Sequence, residues 1–273
     1  MSEASKELAE YRKTFDAPIS RLINRMWGGQ WHLGVFAAPD ESLHDAQIRA
    51  SRIMADGAGL KPGHRVAEVA CGVGGTTRFL ARDYGCMVWA TNIAESQIAE
   101  AREITKAEGL DRAIEYSIAD FHALPAANAS FDCWWCQEAL LYAVDKKKVI
   151  GEGLRVVKPG GTLVLSDLML DHRLPISERE TFLTAMKAPH MSSPEELDAI
   201  VTEMGLKVVD RRDWSAHAAP TFERLLTILD KLIREYADTV DPEGLNALVY
   251  RIKQQYELAR AGYIGWLYYA IAR

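Results

Sequence analysis

Residues 65–75 read RVAEVACGVGG, and this stretch decides the predicted fold. Its first six residues are apolar enough for a short buried strand, and Gly72 and Gly74 follow that strand directly. A helical pattern continues to Tyr84, where Gly85 is typical of a helix C-terminal cap. The stretch therefore predicts a strand, a tight glycine turn and a helix whose first N–H groups are free to meet a ligand.

Strands and helices alternate along most of the remaining chain. Further apolar strands are predicted at 86–92, 113–118, 131–136, 162–168, 206–212 and 264–272. Helices of ten or more residues between strands imply right-handed crossovers and a parallel sheet. We therefore predict a doubly wound, Rossmann-like α/β fold that binds its ligand beyond the carboxyl ends of the strands.

Composition restricts the possible partners. The 273 residues are 48% hydrophobic and carry a net charge of -6, which argues against a nucleic-acid binder and gives no basic patch for a membrane. No apolar run approaches the ~18 residues of a membrane span, and the first residues lack the apolar core of a signal peptide. We expect a cytoplasmic protein with reduced thiols, either a monomer or a homodimer.

The glycine turn suits a nucleoside-bearing ligand, although not every such ligand. Thr77 stands where the dinucleotide fingerprint has its third glycine, and no Gly-Lys-Ser/Thr of a phosphate loop follows. Asn92 ends the second strand, where a ribose-binding group is expected, unless it only forms a turn. Asp120, after the third strand, is placed to accept from an adenine amino group, the alternative being a loop cap. Gln137, after the fourth strand, faces the same cleft.

These blocks occur together and in order. The runs VAEVACGVGG, ATNIAESQ, IADF, FDCWWCQEALLYAVDK and RVVKPGGTLVLSD resemble those of class I S-adenosylmethionine-dependent methyltransferases. The resemblance implies S-adenosylmethionine as cofactor. It also implies a seven-stranded, mostly parallel sheet whose last strand is antiparallel.

A narrower resemblance spans nearly the whole chain. Residues 27–34, 137–146 and 262–266 resemble the sarcosine/dimethylglycine N-methyltransferases. By position, Tyr11, Trp27 and Gly28 would cover the methionine end of the cofactor, and Glu68, Ala70, Cys71, Gly72 and Gly74 would line it. Asn92, Ile93, Gln97 and Gln137 would hold the ribose and adenine, with Asp120 and Phe121 opposite them.

The chain departs from that family where the acceptor should bind. Tyr142 replaces a histidine, Glu138 replaces an aspartate, and Asp-Leu-Met at 167–169 replaces Asp-Pro-Met. Tyr142, His32 and Glu138 are the candidates for orienting the acceptor. The alternatives are that Tyr142 packs, that His32 caps a loop and that Glu138 is solvated. Candidate acceptor contacts are Trp31, Met169 and Trp214.

Four parts of the chain are expected. They are an N-terminal helical lid (1–60), the cofactor-binding core (61–212), a helical substrate cap (213–262) and a final core strand (263–273). No metal is expected, because Cys133 and Cys136 would point to opposite faces of one strand and no other ligand spacing occurs.

The predicted activity is methyl transfer to a small molecule, with an amino-acid-like amine such as sarcosine or dimethylglycine as acceptor. Transfer from a sulfonium needs positioning and a shielded site rather than a covalent nucleophile. S-methylation of a thioether amino acid such as methionine is the near alternative. A nicotinamide oxidoreductase and a non-catalytic cofactor sensor are alternatives from other classes.

Overall fold

The computed structural model describes residues 19–188, 190–236 and 241–273, apart from the side chains of Arg21 and Tyr236. Within these ranges the strands are β1 (Arg65–Val69), β2 (Met87–Asn92), β3 (Ile114–Ile118), β4 (Phe131–Gln137), β5 (Val157–Leu170), β6 (Lys207–Asp213) and β7 (Ile264–Ala272). Tyr11, one of the predicted cofactor contacts, lies outside the described residues.

All seven strands form one sheet in the order β3-β2-β1-β4-β5-β7-β6. β1 pairs in parallel with β2 and β4, β2 with β3, and β4 with β5. β7 runs antiparallel to both β5 and β6. The predicted Rossmann-like fold with an antiparallel last strand is confirmed, and the carboxyl ends of β1 to β4 meet along one edge.

Helices precede the sheet, connect most of its strands and form the insertion before β7. Their bounds are α1 (Ile19–Met26), α2 (Leu43–Gly57), α3 (Gly75–Tyr84), α4 (Glu95–Ala107), α5 (Lys146–Val156), α6 (Ile176–Met186), α7 (Pro194–Glu203), α8 (Ala218–Tyr236) and α9 (Pro242–Arg260). The sequence pattern did not predict α6, which buries only two of its eleven side chains and so lacks an apolar stripe. The turn expected at residues 158–161 instead belongs to β5.

The two faces of the sheet carry separate apolar cores. Cys133 and Trp135 point into the core under α2, whereas Trp134 and Cys136 point into the core under α5. This alternation follows from the two-residue period of a strand and separates the two thiols, as the sequence predicted. The described residues include no helix long and apolar enough to cross a membrane.

The glycine that ends α2 lies against an aromatic ring of β7. A Cβ atom on Gly57 would come within 1.9 Å of the Tyr268 hydroxyl. The Tyr268 ring is fully buried and stacks in parallel on Trp214, with 5.0 Å between ring centroids, so it cannot swing aside. Tyr268 therefore belongs to the core on the α2 side of the sheet.

Gly57→Ala is expected to lower the free energy of unfolding by about 1–3 kcal/mol, because overpacking outweighs the gain in helix propensity. Chemical denaturation measures the change. Gly151→Ala in α5 is the matched control, since its Cβ would meet open space, and it should stabilise by up to ~1 kcal/mol. Adding Tyr268→Phe to Gly57→Ala should recover most of the loss; no recovery would contradict this packing.

Candidate functional site

The backbone after β1 turns sharply into α3. Ala70, Gly72 and Gly74 adopt φ values of 54°, 57° and 77°, in the left-handed region, and Gly74 caps the helix. The Cys71 N–H anchors the turn by donating to the Thr91 carbonyl at 2.9 Å. A Cβ on Gly72 would meet no atom within 4 Å, so the cleft side of the turn is open. A ligand could therefore approach the backbone of the turn closely, because no side chain stands in the way at Gly72.

Glu68 lies beneath this turn rather than on its surface. The Thr77 hydroxyl donates to the Glu68 carboxyl group at 2.5 Å, and burial raises the pKa of Glu68 to about 8. A glycine at position 77 would leave this buried carboxyl group without that donor. The departure from the dinucleotide fingerprint therefore has a structural cause: Thr77 ties α3 to β1.

Asn92 joins the ends of β1 and β2. Its side-chain oxygen accepts from the Ile93 N–H at 2.8 Å, and its Nδ2 donates to Gln97 Oε1 at 2.7 Å and to the Gly72 carbonyl at 3.5 Å. The turn-forming alternative for Asn92 is therefore present, and its oxygen retains a second lone pair for a ligand.

Gln97 presents a buried donor to this corner. Among the described residues, its Nε2 has no hydrogen-bond partner, although Gln97 is buried. Buried amide groups are nearly always paired, so an unpaired one beside the glycine turn indicates an acceptor atom that a ligand would supply. A ribose or a purine would supply one. The open space at Gly72 and the Gln97 amide both fit a nucleoside.

Asp120 and Phe121 follow β3 on the far side of the cleft. Asp120 Oδ1 accepts from both the backbone N–H and the Nδ1 of His122, at 2.9 and 2.7 Å. The hydrogen bond from the His122 ring lowers the pKa of Asp120 and keeps it ionised. The loop-cap alternative is thus observed, while no described residue bonds to Oδ2.

The segment from Trp27 to Gln30 lies directly over the glycine turn. Gly28 and Gly29 have φ values of 61° and 78° and end α1 in a tight turn. A Cβ on Gly75 would lie 2.3 Å from the Gly29 carbonyl oxygen. The backbone at Gly29 therefore touches the first residue of α3, so Gly75 has no room for a side chain, while the positive φ at Gly29 favours glycine there.

Buried polar side chains connect the lid to the sheet. His32 Nε2 lies 2.8 Å from Gln30 Oε1 and 3.4 Å from Ser51 Oγ. Gln137 Nε2 donates to the same Ser51 oxygen, and Gln137 Oε1 accepts from Thr76 at 3.3 Å. This set joins the lid, α2, β4 and α3 around the cleft. Ser51 and Thr76 were not identified from the sequence.

His32 is committed to this network. Its Nδ1–H donates to the Leu33 carbonyl at 2.9 Å, and burial lowers the pKa of the ring to about 4. The ring is therefore neutral near pH 7. The structure favours the alternative for His32, in which the ring holds a loop: Nδ1–H donates to the Leu33 carbonyl, and Nε2, which carries the lone pair, can accept from the Ser51 hydroxyl at 3.4 Å.

Glu138 fastens the lid from the other side. Both of its carboxyl oxygens lie 3.0 Å from the Leu33 N–H, at a backbone φ of 51°. Only 8% of the residue is exposed, so the solvated alternative is wrong. Burial raises the pKa of Glu138 well above its usual range.

Tyr142 ends a short 3₁₀ helix, Leu140–Tyr142, after β4. Burial raises the pKa of its phenol to about 12; the Arg251 cation opposes this, whereas the carboxyl groups of Asp167 and Glu138 add to it. Tyr142 is therefore a neutral hydrogen-bonding group at physiological pH rather than a base.

A buried ionisable pair supports the loop that carries Tyr142. Asp167 on β5 is 2% exposed, and burial raises its pKa to about 7 against the opposing charge of Lys146. Lys146 Nζ donates to the carbonyls of His190 and Ala143. Asp167 and Lys146 are twenty-one residues apart, so no local pattern pairs them before the structure is known.

The three predicted acceptor contacts lie in different surroundings. Trp31 is half-buried in the lid, where its indole N–H donates to Asn24 Oδ1 at 2.7 Å. Met169 is fully buried in the core under α5. Trp214 is 4% exposed because it stacks on Tyr268. Of the three, only Trp31 has side-chain surface to offer a ligand.

The glycine turn and the ends of β2, β3 and β4 therefore meet at one edge of the sheet, and the backbone at Gly29 contacts the turn there. Three features lie there: open backbone at Gly72, the unpaired buried amide of Gln97 and the Asp120 carboxylate. Together they are typical of an enzyme of the nucleoside-binding, Rossmann-like class.

Comparison with known proteins identifies the family. Residues 67–165 match the methyltransferase domain family. The dimethylglycine N-methyltransferase of Parasynechococcus marenigrum is 33% identical over 205 residues, covering 74% of this chain and 72% of that protein. The glycine/sarcosine/dimethylglycine N-methyltransferase of Actinopolyspora halophila is 29% identical over 97% of this chain, which spans about half (47%) of that protein. The chain belongs to the S-adenosylmethionine-dependent methyltransferases.

The solved structures agree on the fold. The (4+2) cyclase SpnF superposes with a TM-score of 0.84 at 22% identity, covering 97% of this chain and 96% of that one. A cyclase on the same scaffold shows that the scaffold alone does not specify the reaction. S-adenosylmethionine is the cofactor of this chain, as predicted, and when bound it supplies an electrophilic methyl group on sulfur.

Gly72→Val is expected to weaken S-adenosylmethionine binding by at least ~10-fold, because a branched side chain would fill the open cradle. Titration calorimetry measures the change. Gly63→Val is the matched control: its φ is also positive (83°), its Cβ would also meet open space, and it precedes β1 at the opposite end. Both variants should lose similar stability. Equal S-adenosylmethionine affinity in the two variants would refute the assignment of Gly72 to the cofactor.

Proposed function

We propose that this methyltransferase N-methylates a small amino-acid-like amine such as sarcosine or dimethylglycine. The names of the relatives at 33% and 29% identity support the acceptor class. The observation that carries the proposal is the place of a cation: Arg251 acts on the Tyr142 hydroxyl and lies on the inward side of α9. An amino-acid-like acceptor keeps its carboxylate charge when its nitrogen is neutral, and such a carboxylate needs a cationic partner.

Arg251 is our candidate for binding the acceptor carboxylate. It lies half-buried on α9, three residues after buried Leu248 and four before buried Gln255, and so on the inward side of that helix. A guanidinium can bind a carboxylate through two parallel hydrogen bonds. Tyr142, a neutral donor beside it, would complete the contact and fix the distance between the carboxylate and the reacting nitrogen.

The amine must reach the site without its proton, since a protonated nitrogen has no lone pair to attack carbon. Tyr142 holds its own proton up to about pH 12, and His32 is enclosed in the lid network. We therefore assign no catalytic base. The chain's contribution is orientation and exclusion of water by the lid.

We also propose the domain organisation predicted from the sequence: a lid at 1–60, a cofactor-binding core at 61–212, a substrate cap at 213–262 and a final core strand at 263–273. In support, α8 and α9 pack on each other and on β7, and α1 contacts α8. The lid and the cap thereby approach the cleft from neighbouring sides.

S-methylation of a thioether amino acid remains the alternative, because its substrate carries the same carboxylate and its product is also cationic. The two reactions differ in their dependence on pH. An amine acceptor must lose a proton, so kcat/KM should rise about tenfold per pH unit below the pKa of the amine. A thioether has no proton to lose and should give no such slope.

A screen with methyl-labelled S-adenosylmethionine tests the proposal. The acceptors are glycine, sarcosine, dimethylglycine, methionine and ethanolamine phosphate, each over a range of pH. We expect turnover of sarcosine or dimethylglycine that rises with pH. Turnover confined to methionine would favour the alternative, and no turnover of any of them would contradict both.

The same assay tests the carboxylate contact. Arg251→Met should lower kcat/KM for the acceptor by about 10–100-fold, as expected for loss of a charge-assisted hydrogen bond, with the KM for S-adenosylmethionine unchanged. Arg260→Met, at the end of the same helix beside Tyr256, is the control and should leave both constants unchanged. Equal effects of the two substitutions would sink the assignment of Arg251.

A further inference from the structure

His122 lies behind Asp120, the predicted adenine contact, and hydrogen-bonds to its carboxylate. Its side chain is 17% exposed and lies between the loop after β3 and the start of α5. Two of its donors, the backbone N–H and Nδ1, converge on the same atom, Asp120 Oδ1. A turn of the backbone alone would supply only the first of these hydrogen bonds, so the imidazole adds a second, independent constraint on the carboxylate.

The surroundings of the ring determine which nitrogen carries the proton. Asp120 is a carboxylate and can only accept, so Nδ1 must be protonated. On the other side, the Asp145 N–H points at Nε2 from 3.5 Å, so Nε2 must present its lone pair. Phe121 meets the ring edge-on, with 4.8 Å between centroids. One neutral tautomer in one orientation satisfies all three neighbours.

We propose that His122 is a positioning residue for adenine recognition, which holds the Asp120 carboxylate so that Oδ2 meets the adenine amino group. The proposal rests on the proposed role of Asp120 as the adenine contact. Two hydrogen bonds to Oδ1 fix the plane of the carboxylate. They also occupy Oδ1 and leave Oδ2, to which no described residue bonds, for the ligand.

The same imidazole connects the two halves of the cleft. Asp145 caps α5, since its side chain accepts from the Lys148 N–H at 2.9 Å. It also ends the segment that carries Glu138 and Tyr142. His122 therefore joins the loop on the adenine side to the loop on the acceptor side, and its removal should loosen the carboxylate without removing it.

The test compares two ligands that differ at the edge of the base that Asp120 is proposed to contact. They are S-adenosylhomocysteine and S-inosylhomocysteine, in which oxygen replaces the adenine amino group and the neighbouring N1 gains a proton. Titration calorimetry on the full chain gives the ratio of their Kd values. We expect the wild-type chain to prefer S-adenosylhomocysteine by about 100-fold or more, because the inosine oxygen would face a carboxylate.

His122→Ala should reduce this preference by at least ~10-fold, chiefly by weakening S-adenosylhomocysteine, since an unheld carboxylate gives a poorer hydrogen bond. His122→Asn should retain most of the preference, because its amide can still donate to Asp120. His172→Ala, at an exposed histidine beyond β5, is the control and should leave the ratio unchanged. Thermal unfolding checks that each variant is folded. If His122→Ala is not, His122→Phe carries the test: it keeps a planar ring, removes the donor to Asp120 Oδ1 and should reduce the preference as His122→Ala does.

Asp120→Asn separates failure of this proposal from failure of the proposed site. It should abolish the preference, since an amide can donate to the inosine oxygen. If Asp120→Asn abolishes the preference while His122→Ala keeps the wild-type ratio, the role of His122 is overturned and that of Asp120 stands. A His122→Ala variant that loses both ligands equally would also overturn the proposal. An unchanged ratio in Asp120→Asn would overturn both roles.

Discussion

The backbone between β1 and α3 reverses direction through left-handed conformations, and the rest of the site depends on this constraint. Gly72 and Gly74 adopt them without strain, whereas Ala70 does so at φ 54°. For a residue with a side chain this conformation costs roughly 1 kcal/mol, and such strain collects at functional sites. The turn leaves no side chain in the cleft at Gly72. It also starts α3 at Gly75, which the lid backbone can approach only because no Cβ intervenes.

Buried hydrogen bonds join the N-terminal segment to the sheet. The Glu138 carboxyl group pairs with the Leu33 N–H, and the Gln137 amide pairs with Ser51, both across the junction. The His32 ring pairs within the N-terminal segment, with Leu33 and Ser51. Breaking the pairings at the junction would cost about 1–3 kcal/mol for each buried group left without a partner. His32 and Glu138 are also predicted acceptor-orienting residues, and their burial explains why polar residues stand at these positions.

The fold could be predicted because its signals are local. A strand followed by Gly72 and Gly74, and strands separated by long helices, specify a parallel sheet without knowledge of tertiary contacts. The prediction of Gly72, Asn92 and Asp120 as cofactor contacts rests on equally local signals, because each stands at or just after the end of a strand. The partnerships of His122 with Asp145 and of Asp167 with Lys146 join segments more than twenty residues apart, and no periodicity reports them. One sequence feature does indicate such buried contacts. Gln47 and Ser51 are polar residues on the apolar stripe of α2, and in the structure Gln47 hydrogen-bonds to the Gln30 carbonyl and Ser51 to the Gln137 amide.

The turn after β1 is expected to select S-adenosylmethionine over the nicotinamide cofactors that bind the same class of fold. Titration calorimetry of the full chain with S-adenosylmethionine and, in parallel, with NAD measures this selection. We expect S-adenosylmethionine to bind with a Kd of about 1–100 μM and NAD to bind at least ~100-fold more weakly. NAD binding as tight as that of S-adenosylmethionine, or no binding of S-adenosylmethionine, would refute the assignment of the turn.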